Sequence, residues 1–177
     1  MNLLLQDTLS PFASEAEVLN YALTLEHLES TFYREAIATY TGQDFVDIGL
    51  QAAVLDYIVM IGEHEAAHVT TLTDVINSLG GQPVQEAVYD FGYTNLTEFL
   101  ATAAAVENLG VAAYTGAAQY LIANDALLTA ALTIHGVEAR HAAYLNLVNL
   151  TSPFPNAVDA PMTPDEVLAI AGPFIVS

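Results

Sequence analysis

Basic residues are almost absent from this chain. It has no lysine, Arg34 and Arg140 are its only arginines, and 21 acidic residues give a formal net charge of −19. Proteins that bind nucleic acids neutralise phosphates with basic side chains, and anionic membranes attract the same side chains. The scarcity of positive charge therefore excludes nucleic-acid binding by phosphate neutralisation and argues against binding to anionic membranes.

Cysteine is absent as well, so there is no disulfide framework and no indication of redox compartment from disulfides. Hydrophobic residues make up 54% of the sequence, with alanine inflating the figure. Even so, no run of about 18 apolar residues is free of polar breaks, which a membrane-spanning helix would need. We therefore expect no membrane-spanning segment.

The length of 177 residues is enough for one domain with a full core, and we predict a single domain over residues 1–177. The first residues, 1–7, lack a basic region and are too short for a signal peptide. The strongly acidic composition suits a cation-rich, acidic or extracellular setting. We favour the mature form of an exported protein, periplasmic or extracellular, and keep a cytoplasmic location as the alternative.

Apolar residues recur at helical spacing along most of the chain, and capping boxes at Ser14–Glu17 and Asn95–Glu98 mark two helix starts. These patterns predict four long helices. We expect them at residues 14 to about 40, from between 44 and 50 to 79, 95 to about 122, and 125 to about 150.

The connection at residues 80–96 is long for a compact domain. At about 3.3 Å per residue it reaches roughly 55 Å, more than the ~45 Å of a 30-residue helix. It can therefore cross the whole bundle between the second and third helices. The proline-rich tail, residues 151–177, is expected to contain one short helix and to pack on the bundle (about residues 14–150). The tail residues that would be costly to expose are Phe154, Leu168, Ile170, Phe174 and Ile175.

Two segments place a histidine three residues after a glutamate, Glu65 with His68 and Glu138 with His141. Residues three apart lie on one face of a helix, so each pair offers a carboxylate and an imidazole to one metal ion. The helix before each pair carries a glutamate among apolar residues, where an acid is expensive without a cation. The predicted metal ligands are Glu26, Glu65, His68, Glu107, Glu138 and His141.

The two halves of the chain repeat this pattern, which favours a duplicated helical hairpin with half of the site on each. In the usual arrangement the glutamates of the two Glu-x-x-His pairs bridge two ions, the other two glutamates are terminal ligands, and each ion takes one histidine. Carboxylate and imidazole ligands suit Fe(II), Mn(II) and Zn(II). We expect two divalent ions, with iron first and manganese or zinc as alternatives.

Other residues near the motifs have weaker patterns. A tyrosine follows each single glutamate after seven residues, and we name Tyr33 and Tyr114 as candidate catalytic residues near the metals, against the alternative of core aromatics. Glu29, one turn from Glu26, is an alternative extra ligand. The residues that we interpret as second-layer or surface groups, or as non-ligands, are Glu63, His64, His27, His135 and Glu35.

At these residues the chain resembles the ferritin-like superfamily, and within it the exported ferritin-like proteins often labelled desiccation-related. The closer likeness lies in Glu17–Tyr33 (EVLNYALTLEHLESTFY) and in Thr163–Val176 (TPDEVLAIAGPFIV). The resemblance implies an all-α, ferritin-like four-helix bundle with a long crossover. Likeness to bacterioferritin-type sites also implies the six ligands above and a tyrosine near the centre at Tyr33.

Three functions follow as hypotheses. The first is a di-metal oxidase or peroxidase that consumes dioxygen or peroxide in stress protection. The second is metal storage, which needs a shell-forming oligomer, although the proline-rich tail does not look like the fifth helix of many cages. The third is a structural or assembly protein whose metals only stabilise the bundle. The ligand pattern does not separate catalyst from structural site, and the sequence leaves homo-oligomer formation open.

Overall fold

A computed structural model describes residues 10–177, so the N-terminal residues 1–7 considered above lie outside the described part. Within residues 10–177 there are six α-helices and no strand, apart from one isolated bridge between Tyr89 and Ile175. The helices are α1 (Glu15–Thr39), α2 (Gly42–Asp47), α3 (Val54–Ser78), α4 (Leu96–Ala117), α5 (Asp125–Val148) and α6 (Pro164–Ala171). The predicted all-α bundle with a short C-terminal helix is confirmed.

Side-chain caps set the starts of α1, α4 and α5. Ser14 accepts a hydrogen bond from the backbone N–H of Glu17 at the start of α1, and Asn95 does the same for Glu98 at the start of α4. Asn124 caps α5 in the same way. Each cap satisfies a backbone donor that the first turn of a helix leaves free.

Two hairpins form the bundle: α1 packs along α3, and α4 packs along α5. Their inner faces bury a continuous apolar core, with Phe32, Tyr33, Phe99 and Leu145 all wholly buried. None of the helices in residues 10–177 has both the length and the apolar character needed to cross a membrane.

The connection between α3 and α4, residues 79–95, runs beside α1. Near the start of α1 the side chain of Asn20 accepts a hydrogen bond of 2.7 Å from the backbone N–H of Val84. Further along α1, the Arg34 guanidinium lies 2.7 Å from the Glu86 carboxylate. The connection therefore travels from the beginning of α1 towards its end, which makes α3 and α4 parallel and confirms the predicted crossover.

The second long helix begins later than the sequence analysis predicted. In place of a start between Asp44 and Leu50, a separate short helix, α2, precedes α3. The carboxylate of Asp44 accepts hydrogen bonds from the backbone and side chain of Thr41 and caps α2. Gly49 follows with φ of +86°, a conformation that side-chain-bearing residues rarely adopt, so the helix cannot continue.

The tail packs on the bundle through α6 and through Phe174, which contacts the core, and Ile175 is half-buried, but the other three residues that we expected to be buried are exposed. Val167 and Ala171, one turn apart, are buried against α4. In contrast, Phe154 is 80% exposed, and Leu168 and Ile170 are 40% and 49% exposed. The expectation for these three residues was wrong, because only one stripe of α6 faces α4 and the segment before it runs over the surface.

A glycine in α4 makes this docking possible. A Cβ atom built on Gly116 would lie 1.9 Å from the backbone oxygen of Met162. Gly116→Ala is therefore expected to push the tail away and to reduce the free energy of unfolding by about 1–3 kcal/mol, as overpacking does. Thermal unfolding measures the change.

The matched control is Gly136→Ala in α5, where a Cβ atom would meet no other atom within 4 Å. That change should stabilise the helix by roughly 0.5–1 kcal/mol. If the melting temperature of the Gly116→Ala protein equals or exceeds that of the wild type, α6 does not dock as described.

Candidate metal centre

The six predicted ligands converge at the middle of the bundle. Their ligand atoms form two groups, and within each group the atoms lie within 4.8 Å of one another. The first group is Glu26, Glu65, His68 and Glu138. The second is Glu65, Glu107, Glu138 and His141. Glu65 and Glu138 occur in both, so two of the carboxylates lie between two positions that could each hold one metal ion.

Each long helix contributes to this cluster: α1 and α4 carry one carboxylate each, and α3 and α5 carry a carboxylate and an imidazole each. All four carboxylate residues, Glu26, Glu65, Glu107 and Glu138, are fully buried. His68 is 8% exposed and His141 is 6% exposed. The edges of the two imidazoles are therefore the parts of the cluster nearest to solvent.

Both histidines turn Nδ1 towards the carboxylates. Nδ1 of His68 lies 3.0 Å from Glu65 Oε2, 3.2 Å from Glu26 Oε2 and 3.0 Å from Glu138 Oε1. On the other side, Nδ1 of His141 lies 2.9 Å from Glu65 Oε1. The ring nitrogens and the carboxylate oxygens thus point into the same small volume.

Several of these atoms are buried without any hydrogen-bond partner among the described residues. They are Glu65 Oε1, Glu107 Oε2, both carboxylate oxygens of Glu138, and His141 Nδ1. His141 Nδ1 and Glu65 Oε1 are only 2.9 Å apart, yet their geometry is not that of a hydrogen bond. Unpaired buried polar atoms are expensive, whereas lone pairs directed at a common point are what a cation requires. The cluster therefore fits divalent metal ions.

The two candidate tyrosines hold carboxylates of the opposite hairpin. The Tyr33 hydroxyl donates a hydrogen bond of 2.5 Å to Glu107 Oε1, and the Tyr114 hydroxyl donates to Glu26 Oε1. Burial, followed by the neighbouring carboxylates, raises the pKa of both phenols well above the usual value. The hydroxyls therefore remain protonated donors, and each fixes one oxygen of a single glutamate.

In the protein without bound ions the carboxyl groups of Glu65, Glu107 and Glu138 resist ionisation. Burial and then the charge of Glu107 raise the pKa of Glu138 well above its usual value. Burial and the charge of Glu138 raise the pKa of Glu65 to about 7. Burial also raises the pKa of Glu107. Carboxylates packed this closely repel one another unless protons or metal ions balance their charge.

The two histidines, unlike the carboxyl groups, favour their charged form. Burial alone would lower the pKa of each imidazole, but the facing carboxylates outweigh it. The pKa of His68 rises to about 12 and that of His141 to about 10. Metal ions would replace these protons, since only a neutral imidazole nitrogen can be a ligand.

Glu29, which the sequence left as an alternative extra ligand, lies at the edge of the cluster and is 2% exposed. Burial and the charge of Glu138 raise its pKa well above the usual value. The matching position of the other hairpin is Gly110, and a Cβ atom there would lie 3.0 Å from Oε1 of Glu29 and 3.2 Å from Oε2 of Glu138. The glycine therefore leaves room for these two carboxylates.

The remaining histidines lie outside the ligand cluster. Nε2 of His27 is 3.1 Å from the carbonyl oxygen of Val84, and Nε2 of His135 is 3.0 Å from the Thr115 hydroxyl. Neither histidine belongs to the two ligand groups. Glu35 and Glu63 are exposed.

His64 was assigned only as a second-layer or surface residue, and the structure gives it a definite contact. Its Nδ1 lies 2.9 Å from Nε2 of His141, the ring nitrogen that faces away from the carboxylates. The four-residue spacing from His64 to His68 puts both on one side of α3, and that spacing was the available sequence signal. The partner on α5 cannot be identified from spacing alone.

Comparison with known proteins agrees with this geometry. A sequence model of the family described as "Ferritin-like domain" matches residues 14–150, the part of the chain that holds all four long helices and all six predicted ligands. A comparison with curated proteins found no match.

Proposed function

The chain belongs to the ferritin-like domain family, and on this basis we propose that it is a non-haem di-metal carboxylate protein that reacts with dioxygen or peroxide. The observation that carries the proposal is the pair of overlapping ligand groups, which share Glu65 and Glu138. Shared carboxylates favour two ions held side by side over one ion or two distant ones.

In this proposal Glu65 and Glu138, which belong to both ligand groups, would help to hold both ions. Glu26 and His68 complete one position, and Glu107 and His141 complete the other. The ligands are two imidazoles and four carboxylates, which suit iron and manganese better than a thiolate-preferring metal. Four ionised carboxylates balance the charge of two divalent ions, and this balance supports the proposed stoichiometry.

A pair of redox-active ions held there would supply two electrons to a small oxidant. The protein's own contribution is to hold the ligands and to exclude water. Tyr33 and Tyr114 each fix one oxygen of a terminal glutamate, which leaves the other oxygen to face the ions. The full burial of all four carboxylate residues keeps bulk water away from the cluster.

The burial of the cluster supports small oxidants as substrates. All four carboxylate residues are fully buried, and only the edges of His68 and His141 approach solvent. A diatomic or peroxide-sized molecule can enter such a site with small side-chain motions, whereas a larger organic substrate cannot. We propose that the electrons come from Fe(II) or another small reductant, and that the protein protects against oxidative stress, in an exported setting to which its acidic surface is suited.

The same burial favours a second candidate function. A buried centre also suits ions that only stabilise the four helices, with the acidic surface serving assembly. The two functions differ in one observable property, the consumption of an oxidant by the iron-loaded protein.

The proposed chemistry can be tested by loading metal-free protein with two equivalents of Fe(II) without oxygen and then adding peroxide or dioxygen. We expect Fe(II) oxidation faster than that of the same iron in buffer. Zinc-loaded protein, which fills the same ligands with an ion that does not change its oxidation state, is the matched control and should be inert. If the loaded protein consumes neither oxidant faster than free iron, the structural function replaces the catalytic one.

A further inference from the structure

His64 contacts His141, one of the two histidines of the cluster, and within residues 10–177 no residue makes the matching contact with His68. Its Nδ1 lies 2.9 Å from Nε2 of His141, and the two rings are nearly parallel, with an interplanar angle of 11°. The other nitrogen of His141, Nδ1, faces Glu65 at 2.9 Å. The imidazole of His141 is therefore held between the carboxylates on one side and His64 on the other.

This arrangement dictates where the proton lies when His141 is a ligand. A ligand nitrogen must be unprotonated, so Nδ1 is bare and Nε2 carries the hydrogen. Among residues 10–177 the hydrogen-bond partner of Nε2 is Nδ1 of His64, so Nε2–H donates to Nδ1 of His64 when that nitrogen is unprotonated. The contact thus selects the tautomer and the ring orientation of His141 that metal binding requires.

The repeat between the hairpins shows that this contact occurs on one side only. Glu65 corresponds to Glu138, so the position matching His64 in α5 is Val137, whose side chain has no hydrogen-bonding atom. The hydrogen bonds of His68 within residues 10–177 all involve Nδ1, on the inner side of its ring. The two metal positions therefore have equivalent ligands, but among the described residues only His141 has a hydrogen-bond partner on its outer ring nitrogen.

We propose that His64 is a positioning residue, and that it gives the metal position at His141 a higher affinity than the position at His68. This role rests on the two-ion centre proposed above. Groups that orient a histidine ligand through its outer nitrogen change metal affinity by roughly 10–100-fold. His64 is exposed, so it contributes this support from the surface without closing the centre.

The first test is a titration of metal-free protein with Co(II). Calorimetry and the visible absorption of the bound ion measure the affinities. His64→Leu should weaken one of two Co(II) affinities by about 10–100-fold and leave the other within about threefold. His64→Asn, whose amide oxygen can accept from Nε2–H, should restore most of the loss. Glu63→Ala, a change at the exposed neighbour, should alter neither affinity.

A second measurement needs no metal. In ion-free, nitrogen-15-labelled protein, a scalar coupling across the N–H···N hydrogen bond between His141 and His64 should be detectable and should vanish in His64→Leu. Absence of the coupling in the wild type overturns the contact itself.

The titration separates the two proposals. If the wild type binds two Co(II) ions and His64→Leu leaves both affinities unchanged, or weakens both equally, only the positioning role is overturned. If the wild type binds no Co(II), the two-ion centre falls and the positioning role with it. One selectively weakened position, rescued by His64→Asn, supports both.

Discussion

Removal of the metal ions is expected to lower the melting temperature at about pH 8 by roughly 8–16 °C for each ion lost. An ion present at about a thousand times its Kd stabilises the folded state by about 4 kcal/mol, and for a protein of this size each kcal/mol is worth roughly 2–4 °C. The physical reason is the packing of Glu26, Glu65, Glu107 and Glu138 into one buried volume. Without cations these carboxyl groups lose hydration and repel one another.

The loss on metal removal should depend on pH in a definite direction. The pKa of Glu65 is about 7 in the folded protein against an ordinary value of 4.5. Between these values the folded state binds more protons than the unfolded state, so the stability of the ion-free protein falls as the pH rises. Glu138, whose pKa is also raised, acts in the same sense.

The histidines reinforce this trend at higher pH. The pKa of His141 is about 10 and that of His68 about 12, against an ordinary value of 6.5. Their stabilising contribution is complete below pH 6.5 and is lost progressively as the pH rises to the folded values. The ion-free protein should therefore be more stable at about pH 5.5 than at about pH 8, while metal binding strengthens with pH because protons no longer compete.

Thermal unfolding with and without a chelator, at both pH values, measures these effects. The melting temperature difference at about pH 5.5 should be less than half of that at about pH 8. An ion-free protein that melts within about 2 °C of the loaded protein at the higher pH would be incompatible with a metal-filled centre.

Loss of a shared carboxylate should have the largest effect on activity. Glu138→Ala removes an oxygen ligand from both metal positions at once, and it is expected to abolish Fe(II) oxidation by peroxide or dioxygen. His141→Ala, which removes the imidazole of one position, should have the same effect. The control is Glu35→Ala in α1, an exposed carboxylate outside the cluster that should leave the rate unchanged. Stopped-flow absorbance of the iron-loaded proteins gives the rates.

Although Glu138→Ala should abolish activity, it should increase the stability of the ion-free protein. Since Glu138 is fully buried beside other carboxylates, Glu138→Ala should make the ion-free protein melt at a higher temperature than the ion-free wild type. Added metal should then produce little further stabilisation. A Glu138→Ala protein that keeps wild-type oxidation rates, or that is stabilised by metal as much as the wild type, would remove this residue from the site.

The convergence of the six ligands could be predicted because it depends on local spacing and duplication. A histidine three residues after a glutamate lies on the same helical face whatever the helix packs against. Glu26 and the Glu65–His68 pair also lie at similar sequence distances from the segment between α1 and α3, which places all three near one level of the hairpin. The long connection before Asn95 then implied the crossover that makes α3 and α4 parallel.

Features that depend on contacts between distant segments could not be predicted in the same way. The contact from His64 to His141 joins α3 to α5, and no spacing along one helix shows it. The fit of Glu29 over Gly110 depends on the distance between α1 and α4. The exposure of Phe154 shows the same limit, since hydrophobicity favours burial but does not supply a surface to pack on.

Anomalous diffraction at the iron edge, from crystals of iron-loaded protein, tests the central claim most directly. We expect two peaks about 3.5–4 Å apart, with Glu65 and Glu138 between them and the Nδ1 atoms of His68 and His141 at either end. A single peak, peaks confined to surface carboxylates, or no peak within the bundle would contradict the proposed centre.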